Sequence, residues 1–238
     1  MTYVLHHAPD NASLIVRLAL EELGLRYETR LVDRRAKAHR QTDYLELNPA
    51  GRIPVLETPD GPIFEIAAIL LWLSERHGAL APAPGEARRG WFLKWLIFMS
   101  NDVHSNLRLL FYTERYIAPN AVQAMRDGLK TSVQQNLTLL NAASLADNSK
   151  SLDGEARYFG SDGISVLDCY LGPLLRWCVL FPTDQAPWFN LDTYPALKAA
   201  VKSLEARPAV KVLQAAEGLG PNPFSEPVSA NPPEGSVL

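Results

Sequence analysis

Residues 48–69 read NPAGRIPVLETPDGPIFEIAAI, and the fold follows from this stretch. The apolar runs Ile53–Leu56 and Ile63-Phe64 flank Pro59-Asp60-Gly61, and a Pro-Asp-Gly sequence between two such runs indicates a β-hairpin turn. The strongly apolar sequence that follows predicts a helix over residues 65–77. We therefore expect two short strands joined by a tight turn and followed at once by a helix.

The same stretch has a pattern suited to a peptide-like ligand. The Ile53-Pro54 bond is a candidate cis peptide, because only X-Pro bonds adopt cis at small cost, and such a kink leaves the Ile53 N–H and C=O free to pair. Glu65 stands at a helix start, where its carboxylate can take an ammonium group while free N–H groups near Ile66 take a carboxylate. Taken singly, Glu65 also fits an acid that matches the helix dipole, and Pro54 fits an ordinary loop proline.

The residues before this stretch predict two strands and a helix. Tyr3–His6 is a short candidate strand, and Tyr27–Val32 is a second β-biased run. Between them, apolar residues recur at helical spacing after Asn11, a good N-cap, and Gly24 stands where a helix C′ residue belongs. With a further helix before residue 48, the predicted order is β-α-β-α-β-β-α.

The residues after this stretch predict a helical domain. Ala79–Ala87 is a Pro-rich linker, and beyond it no strand alternation appears. We predict domains at residues 1–78 and 88–218, followed by a Pro-rich tail at 219–238 that cannot be a helix. The predicted helical segments are one long helix over Arg88–Tyr116, then about Ala121–Leu145, a helix opened by the capping box Ser165-x-x-Asp168, Tyr194–Ala206 and Ala209–Glu217, with a polar loop over Ala146–Gly163.

Composition limits the function classes. Among 238 residues, 47% are hydrophobic and 21% charged, as in an ordinary soluble protein, and a net charge of −3 gives no argument for nucleic acid. The longest apolar run, Ile66–Leu73, is too short to span a membrane, and the N-terminus shows no secretion signal. On one helix Cys169 and Cys178 would lie about 13.5 Å apart, too far for a disulfide, and His6 and His7 point to opposite faces of a strand. We expect a cytoplasmic protein with no metal, nucleic-acid or membrane partner.

Together these motifs resemble those of the glutathione transferase superfamily, over residues 3–220. The resemblance rests on Asn11-Ala-Ser-Leu, Ala19-Leu-Glu-Glu-Leu-Gly24, residues 48–69, Ser165-x-x-Asp168, Arg207-Pro-Ala-Val and Ala215-Ala-Glu-Gly218. The Trp95-to-His104 segment and the C-terminal run look most like the bacterial beta class. The resemblance implies an α/β thioredoxin-like N-terminal domain, an all-α C-terminal helical bundle and a homodimer that uses glutathione as co-substrate.

The resemblance also implies which residues hold glutathione. Ile53 would bond the cysteinyl backbone, and Glu65 would hold the γ-glutamyl head, while Lys37 would approach the glycyl carboxylate. The family usually has Ser or Thr after the acid, whereas Ile66 supplies only its N–H, and the lost hydroxyl contact is worth roughly 0.5–1.5 kcal/mol. The basic stretch Arg34–Arg40 around Lys37 fits a solvated loop as well. The full set is Ile53, Pro54, Glu65, Ile66, Lys37 and Arg52.

One departure concerns the catalytic position, because the beta-class cysteine aligns with Ala12 and a mixed disulfide cannot form there. Lowering a thiol pKa from roughly 8.5 to about 6.5 needs about 2.7 kcal/mol. A helix N-terminus with one hydrogen bond to the thiolate can supply that. The hydroxyl of Ser13 is the first candidate donor and Asn11 the second, and for both the alternative is capping of their own helix. His104 matches a beta-class histidine near the sulfur, and its alternative is a satisfied polar residue of the bundle.

An electrophile site would be lined by apolar residues of the helical domain, although the same residues fit a helical core. We predict a transferase that stabilises the glutathione thiolate and conjugates it to a small hydrophobic electrophile, as in detoxification. The alternatives are a non-catalytic binding or scaffold protein of the same fold and a glutathione-dependent peroxidase. The candidate lining residues are Met99, Val103, Tyr112 and Trp177, together with Leu107 and Phe111.

Overall fold

The computed structural model describes residues 2–148, 158–159, 163–183 and 187–237, with the backbone alone at 146–148. The chain divides into two compact units. The first comprises Met1–Glu86, Arg207–Pro223 and Val228–Leu238, and the second comprises Ala87–Ala206 and Phe224–Pro227. The division between Glu86 and Ala87 falls within the predicted linker Ala79–Ala87, whereas the last helix and most of the Pro-rich tail pack with the first unit and not with the helical one.

The first unit is built on a mixed four-stranded sheet in the order β2-β1-β3-β4. Its strands are β1 (Tyr3–His7), β2 (Tyr27–Leu31), β3 (Val55–Thr58) and β4 (Gly61–Phe64). β1 pairs in parallel with β2 and antiparallel with β3, and β3 and β4 form the antiparallel hairpin that the sequence predicts. The Thr58 hydroxyl closes the hairpin turn, since it donates to the Gly61 carbonyl at 2.7 Å and accepts from the Asp60 N–H at 3.1 Å.

Three helices join these strands, in the predicted order: α1 (Ser13–Glu22), α2 (Thr42–Leu47) and α3 (Ile66–His77). Gly24 and Gly78 follow α1 and α3 with φ of +62° and +61°, the left-handed conformation that ends a helix at glycine. The prediction of Asn11 as N-cap is wrong. The N-cap is Ala12 with no side-chain cap, because a backbone turn, Leu14 N–H to Asn11 C=O at 2.8 Å, takes the place of the side chain.

The last helix, α9 (Pro208–Glu217), returns the chain to the first unit and packs against α1. Its final residue, Glu217, is fully buried and accepts from the Asp10 N–H at 2.9 Å and from Arg17 Nη1 at 3.3 Å. Arg207, just before α9, donates from Nε to Glu22 Oε1 at 2.7 Å. These charged contacts explain why α9 belongs to the first unit.

The Pro-rich tail forms no helix over residues 219–237, as predicted, and it packs along the first unit. The Asn231 N–H donates to the Gly218 carbonyl at 2.9 Å, and Arg34 Nη1 donates to the Val237 carbonyl. Gly235 packs so closely that a Cβ there would lie 2.8 Å from the Leu31 side chain. The tail is therefore held at several points along its length.

The second unit is helical, with α4 (Arg89–Phe98), α5 (Ser105–Phe111), α6 (Val122–Asn148), α7 (Val166–Leu180) and α8 (Pro195–Glu205). The helix predicted over Arg88–Tyr116 is unbroken from Arg89 to Phe111, but its turns are π-helical over Met99–His104. It ends before Tyr116, because Tyr112 has φ −123° and ψ 33° and ends α5. Phe98 and Ser105 on either side have ordinary helical dihedrals, so the helix continues through this segment. Of the predicted loop over 146–163, residues 149–157 and 160–162 lie outside the described residues.

The capping box that opens α7 is present as predicted. The Leu167 N–H donates to Ser165 Oγ at 3.2 Å, and the Asp168 carboxylate accepts from the Ser165 N–H at 2.8 Å and from the Phe159 N–H at 2.6 Å. Burial raises the pKa of Asp168 to about 6, against the effect of these hydrogen bonds. Cys169 and Cys178 share α7, are both buried and form no disulfide, as expected. No helix in the described part of the chain is long and apolar enough to cross a membrane.

We expect Asp168→Ala to lower the free energy of unfolding by about 2–5 kcal/mol, because each buried donor left without its acceptor costs about 1–3 kcal/mol. Ser165→Ala should cost about 1 kcal/mol, the usual value of an N-cap. Urea unfolding measures both. Asp192→Ala, which removes an exposed carboxylate, is the control and should change little. An Asp168→Ala protein as stable as the control would contradict this account.

Glu217 should make stability fall as the pH rises. Burial raises the pKa of Glu217 to about 7, while Arg17 and the Asp10 N–H oppose that shift. Between about pH 4.5 and 7 the carboxyl group of Glu217 is protonated in the folded protein and ionised in the unfolded chain. Each rise in pH over this range therefore lowers the free energy of unfolding, and the stabilisation is fully lost above pH 7. Urea unfolding from pH 5 to 8 should show a steeper loss for the wild type than for Glu217→Gln. Glu28→Gln, at an exposed carboxylate, should behave like the wild type.

Candidate functional site

The candidate site lies at one end of the sheet of the first unit. His7, the last residue of β1, pairs with Leu31, the last residue of β2, while His6 pairs with Val55 at the start of β3. Val55 in turn pairs with Phe64 at the end of β4. The loop before α1, the basic connection after β2, the Ile-Pro step and the start of α3 therefore all meet this end of the sheet.

The Ile53-Pro54 peptide bond is cis, which confirms the prediction. Ile53 is half-buried, and its backbone N–H and C=O form no hydrogen bond within the described residues. An unpaired N–H next to an unpaired C=O presents the same pattern as the edge of a β-strand. This segment can therefore pair with an extended peptide-like ligand.

The peptide group before Ile53 is firmly held. The Arg52 carbonyl accepts two hydrogen bonds, one from the Tyr44 hydroxyl and one from Asn48 Nδ2, both at 2.8 Å. Asn48 also accepts from the Ala50 N–H at 3.0 Å, the Asx turn for which an Asn-Pro sequence is a signal. Our sequence reasoning missed both donors, and Tyr44 carries no sequence signal for this contact.

Glu65 is the N-cap residue of α3 and has a φ of +69°, a conformation that non-glycine residues rarely adopt. Such strain costs of order 1–3 kcal/mol and is found mostly at functional sites. The Glu65 carboxylate is exposed and has no hydrogen-bond or ion-pair partner in the part of the chain that the structure describes. The N–H of Ile66 belongs to the first turn of α3, where backbone donors lack an intrahelical acceptor.

Two basic side chains belong to the segments at this end of the sheet. Lys37 and Arg52 are exposed, and neither side chain pairs with a carboxylate among the described residues. Lys37 also has a left-handed backbone, with φ of +53°. Both cations are free to take an anionic group.

The loop between β1 and α1 is closed by Ser13. Its hydroxyl is fully buried, donates to the Ala8 carbonyl at 3.0 Å and accepts from the Ala8 N–H at 3.3 Å. The hydroxyl proton is thus already used within the protein. Asn11 is half-buried, and its side-chain amide has no hydrogen-bond partner among the residues that the structure describes. Of the two predicted donors, Asn11 is the one that has an N–H to give.

His104 lies in the second unit and is already partnered. Its Nδ1 is 3.0 Å from the Tyr170 hydroxyl, and its ring centroid lies 5.6 Å from that of Trp177. Burial, and secondarily the charge of Arg108, lowers the pKa of His104 to about 4. The imidazole is therefore neutral at physiological pH, which agrees with the alternative of a satisfied polar residue in the helical unit.

The predicted lining of an electrophile site needs correction. Met99 and Val103 are fully buried and therefore offer no surface to a ligand. Trp177 is 4% exposed and packs on His104, whereas Tyr112 is half-buried, with the Arg115 guanidinium 4.2 Å above its ring. Met99 and Val103 form core of the second unit, because helical spacing places core and lining residues on the same stripe.

Two further histidines lie near this end of the sheet, and both are buried. Nε2 of His6 is 2.7 Å from Glu57 Oε1, whereas Nε2 of His7 lies 3.6 Å from a carboxylate oxygen of Glu234 in the tail. Burial and the charge of Arg17 lower the pKa of His7. Each histidine faces its own carboxylate.

Comparison with known proteins places this geometry in a family. A model of the glutathione S-transferase N-terminal domain matches residues 12–76. Glutathione S-transferase GST-4.5 of Xanthomonas campestris is 28% identical over 218 residues, covering 90% of this chain and 98% of that protein. Elongation factor 1-gamma 2 of Oryza sativa is 31% identical over 144 residues, and the match spans 34% of the factor.

Solved structures extend the likeness over the whole fold. A sphingomonad glutathione S-transferase complexed with glutathione has a TM-score of 0.71 at 30% identity, over 91% of this chain and 100% of that one. The bacterial transferase BphK, solved as a ternary complex, has a TM-score of 0.74 at 29% identity over the same shares. These structures confirm the predicted fold class, a thioredoxin-like α/β domain with an all-α domain.

Proposed function

The chain belongs to the glutathione S-transferase superfamily, and on this premise we propose that it binds glutathione, stabilises its thiolate and transfers it to a small hydrophobic electrophile. One observation carries the proposal. The unpaired N–H and C=O of Ile53 beside cis-Pro54 lie at the same end of the sheet as the strained, unpartnered Glu65. That combination suits a ligand with a peptide body and an amino-acid head.

Each part of glutathione has a counterpart among these groups. The cysteinyl backbone pairs with the N–H and C=O of Ile53, as a strand pairs with a sheet edge. The γ-glutamyl ammonium pairs with the Glu65 carboxylate, and its carboxylate takes the Ile66 N–H at the start of α3. The glycyl carboxylate meets the cations of Lys37 and Arg52. The two exposed cations and the exposed acid thus match the charges of the ligand.

The thiolate is stabilised at the start of α1. We assign the hydrogen bond to the Asn11 amide, because the Ser13 hydroxyl already donates to Ala8. The positive end of the α1 dipole adds to that bond. The thiol proton leaves to solvent, the sulfur forms a bond to an electrophilic carbon, and the leaving group departs with the electron pair of the broken bond. Ser13 supports this step only through the shape of its loop.

The setting follows from the same family. We propose a cytoplasmic homodimer that acts in detoxification. Its two cysteines, Cys169 and Cys178, are both buried, which makes them unsuited to be nucleophiles. Burial also raises the pKa of the Cys178 thiol. Sulfur chemistry is thereby left to the bound glutathione.

A second candidate function is a non-catalytic glutathione-binding protein. The observation that favours it is local: Ala12 brings no reactive group to the start of α1, and the neighbouring Ser13 hydroxyl is used inside the loop. Binding would need only the groups of Ile53 and Glu65.

Ultraviolet titration of bound glutathione, together with a conjugation assay on an aryl chloride, tests the proposal. We expect a thiolate absorption band below pH 8 and saturable conjugation. Binding without a thiolate band or turnover would overturn catalysis and establish the second candidate. Absence of any binding would overturn both. An assay with an organic hydroperoxide separates a transferase from a peroxidase.

Asn11→Ala should raise the pKa of the bound thiol and lower kcat by about ten- to a hundredfold, the value of one hydrogen bond to a charged group. Ser13→Ala should instead lower stability and leave the thiol pKa unchanged. Asn120→Ala, at an exposed asparagine, is the matched control. A thiol pKa that rises in Ser13→Ala but not in Asn11→Ala would return the activating role to the serine.

Glu65→Gln should raise the dissociation constant of glutathione about ten- to a hundredfold, because it removes the charged partner of the γ-glutamyl ammonium. Stability should hardly change, since this carboxylate forms no hydrogen bond or ion pair within the described protein. Calorimetry gives the dissociation constant and urea unfolding the stability. Glu46→Gln, an exposed acid on α2, is the control. Equal affinity in wild type and Glu65→Gln would refute the assigned role.

A further inference from the structure

We infer that Tyr44 is a positioning residue for ligand binding: its hydroxyl holds the Arg52 carbonyl and thereby aims the backbone groups of Ile53 at the ligand. The inference rests on the proposed function and deepens it. Tyr44 itself touches no ligand in this account. It acts through the peptide group that joins Arg52 to Ile53.

The rigidity of the peptide group gives the mechanism. The Arg52 carbonyl and the Ile53 N–H belong to one planar unit and point in opposite directions across it. A carbonyl oxygen has two lone pairs, and here Tyr44 and Asn48 occupy both, each at 2.8 Å. With the oxygen fixed by two donors, the plane cannot rotate freely, and the Ile53 N–H is held pointing away from them.

Tyr44 is itself well anchored. It is 6% exposed and packs in a small cluster with Val32 and Val55. The ring of His6 meets it edge to face, with centroids 5.8 Å apart, and Nε2 of His6 is fixed in turn by Glu57 at 2.7 Å. Burial raises the pKa of Tyr44, so the hydroxyl keeps its proton and remains a donor. The sheet thus sets the direction of a hydrogen bond that ends at the ligand-binding peptide.

The two donors to the Arg52 carbonyl, Tyr44 and Asn48, differ in how many other hydrogen bonds they form. Asn48 also shapes the turn, since its Oδ1 accepts from the Ala50 N–H and its carbonyl accepts from the Gly51 N–H at 2.8 Å. The bond to Arg52 is the one hydrogen bond of the Tyr44 hydroxyl within the described residues. Tyr44→Phe therefore removes a single hydrogen bond and keeps the packed ring.

The experiment compares Tyr44→Phe with Tyr194→Phe. Tyr194 also donates from its hydroxyl to a backbone carbonyl, that of Gln134 at 3.2 Å, but it belongs to the second unit. Tyr44→Phe should raise both the dissociation constant and KM for glutathione about three- to tenfold, as expected for one hydrogen bond. At saturating glutathione kcat should stay unchanged, because the thiolate donor is not disturbed. Tyr194→Phe should change stability alone.

Asn48→Asp provides a second variant, independent of the tyrosine. It removes the other donor to Arg52 but keeps an oxygen for the Ala50 N–H, and it should shift KM in the same direction. Wild-type glutathione affinity in a folded Tyr44→Phe protein would overturn this inference and leave the proposed function standing. Wild-type protein that binds no glutathione would overturn both. A change in kcat with unchanged KM would also overturn it, because the effect would then lie at the sulfur.

Discussion

The first unit depends on one buried carboxylate, that of Glu217. It lies at the end of α9 and binds two groups that are close in sequence, the Asp10 N–H and the Arg17 guanidinium. Asp10 has a left-handed φ of +46°, a conformation that needs support from its surroundings. Burial disfavours the charged form of Glu217, and Arg17 and the Asp10 N–H offset part of that cost, so removing either partner would be destabilising. The loop that they fix carries Asn11.

The candidate site differs from its surroundings in how its polar groups are paired. Two short loops of the first unit satisfy their donors with side chains, as Ser13 does for the Ala8 N–H and Thr58 does for the Asp60 N–H. At the site, by contrast, the backbone of Ile53 and the carboxylate of Glu65 are left without protein partners. The adjacent Arg52 carbonyl accepts two hydrogen bonds, so side-chain donors are present next to the unpaired backbone of Ile53. The unpaired groups are best understood as kept open for a ligand.

Local chemistry decides which features could be predicted from the sequence. The cis bond at Pro54, the hairpin turn, the start of α3 at Glu65 and the capping box at Ser165 each depend on a few adjacent residues, and all are present. The unit to which α9 belongs depends on Arg17 and Glu217, which are two hundred positions apart in the chain. No local pattern carries that information.

The helical spacing of apolar residues does not distinguish the lining of a site from the core. It predicts that residues share a helix face, but not what covers that face, so Met99 was expected to line a site and is instead core. The π-helical segment was missed because the spacing of apolar residues does not specify which carbonyl each backbone N–H takes. Asn11 was expected to cap α1, but a backbone turn supplied that bond and left its side chain unpaired. Because the Asn11 side chain does not cap α1, its amide is available to a ligand.

The path of the chain between the two units has a consequence for biosynthesis. Residues of the first unit are separated by the whole stretch Ala87–Ala206, and the unit is completed by Arg207–Pro223 and by the tail. On the ribosome the sheet therefore emerges early, while the partner of Arg17 is still to be translated. More than a hundred residues of the second unit are added before Glu217 becomes available to Arg17. The pairing of Arg17 with Glu217 is therefore possible only after the whole second unit has been synthesised.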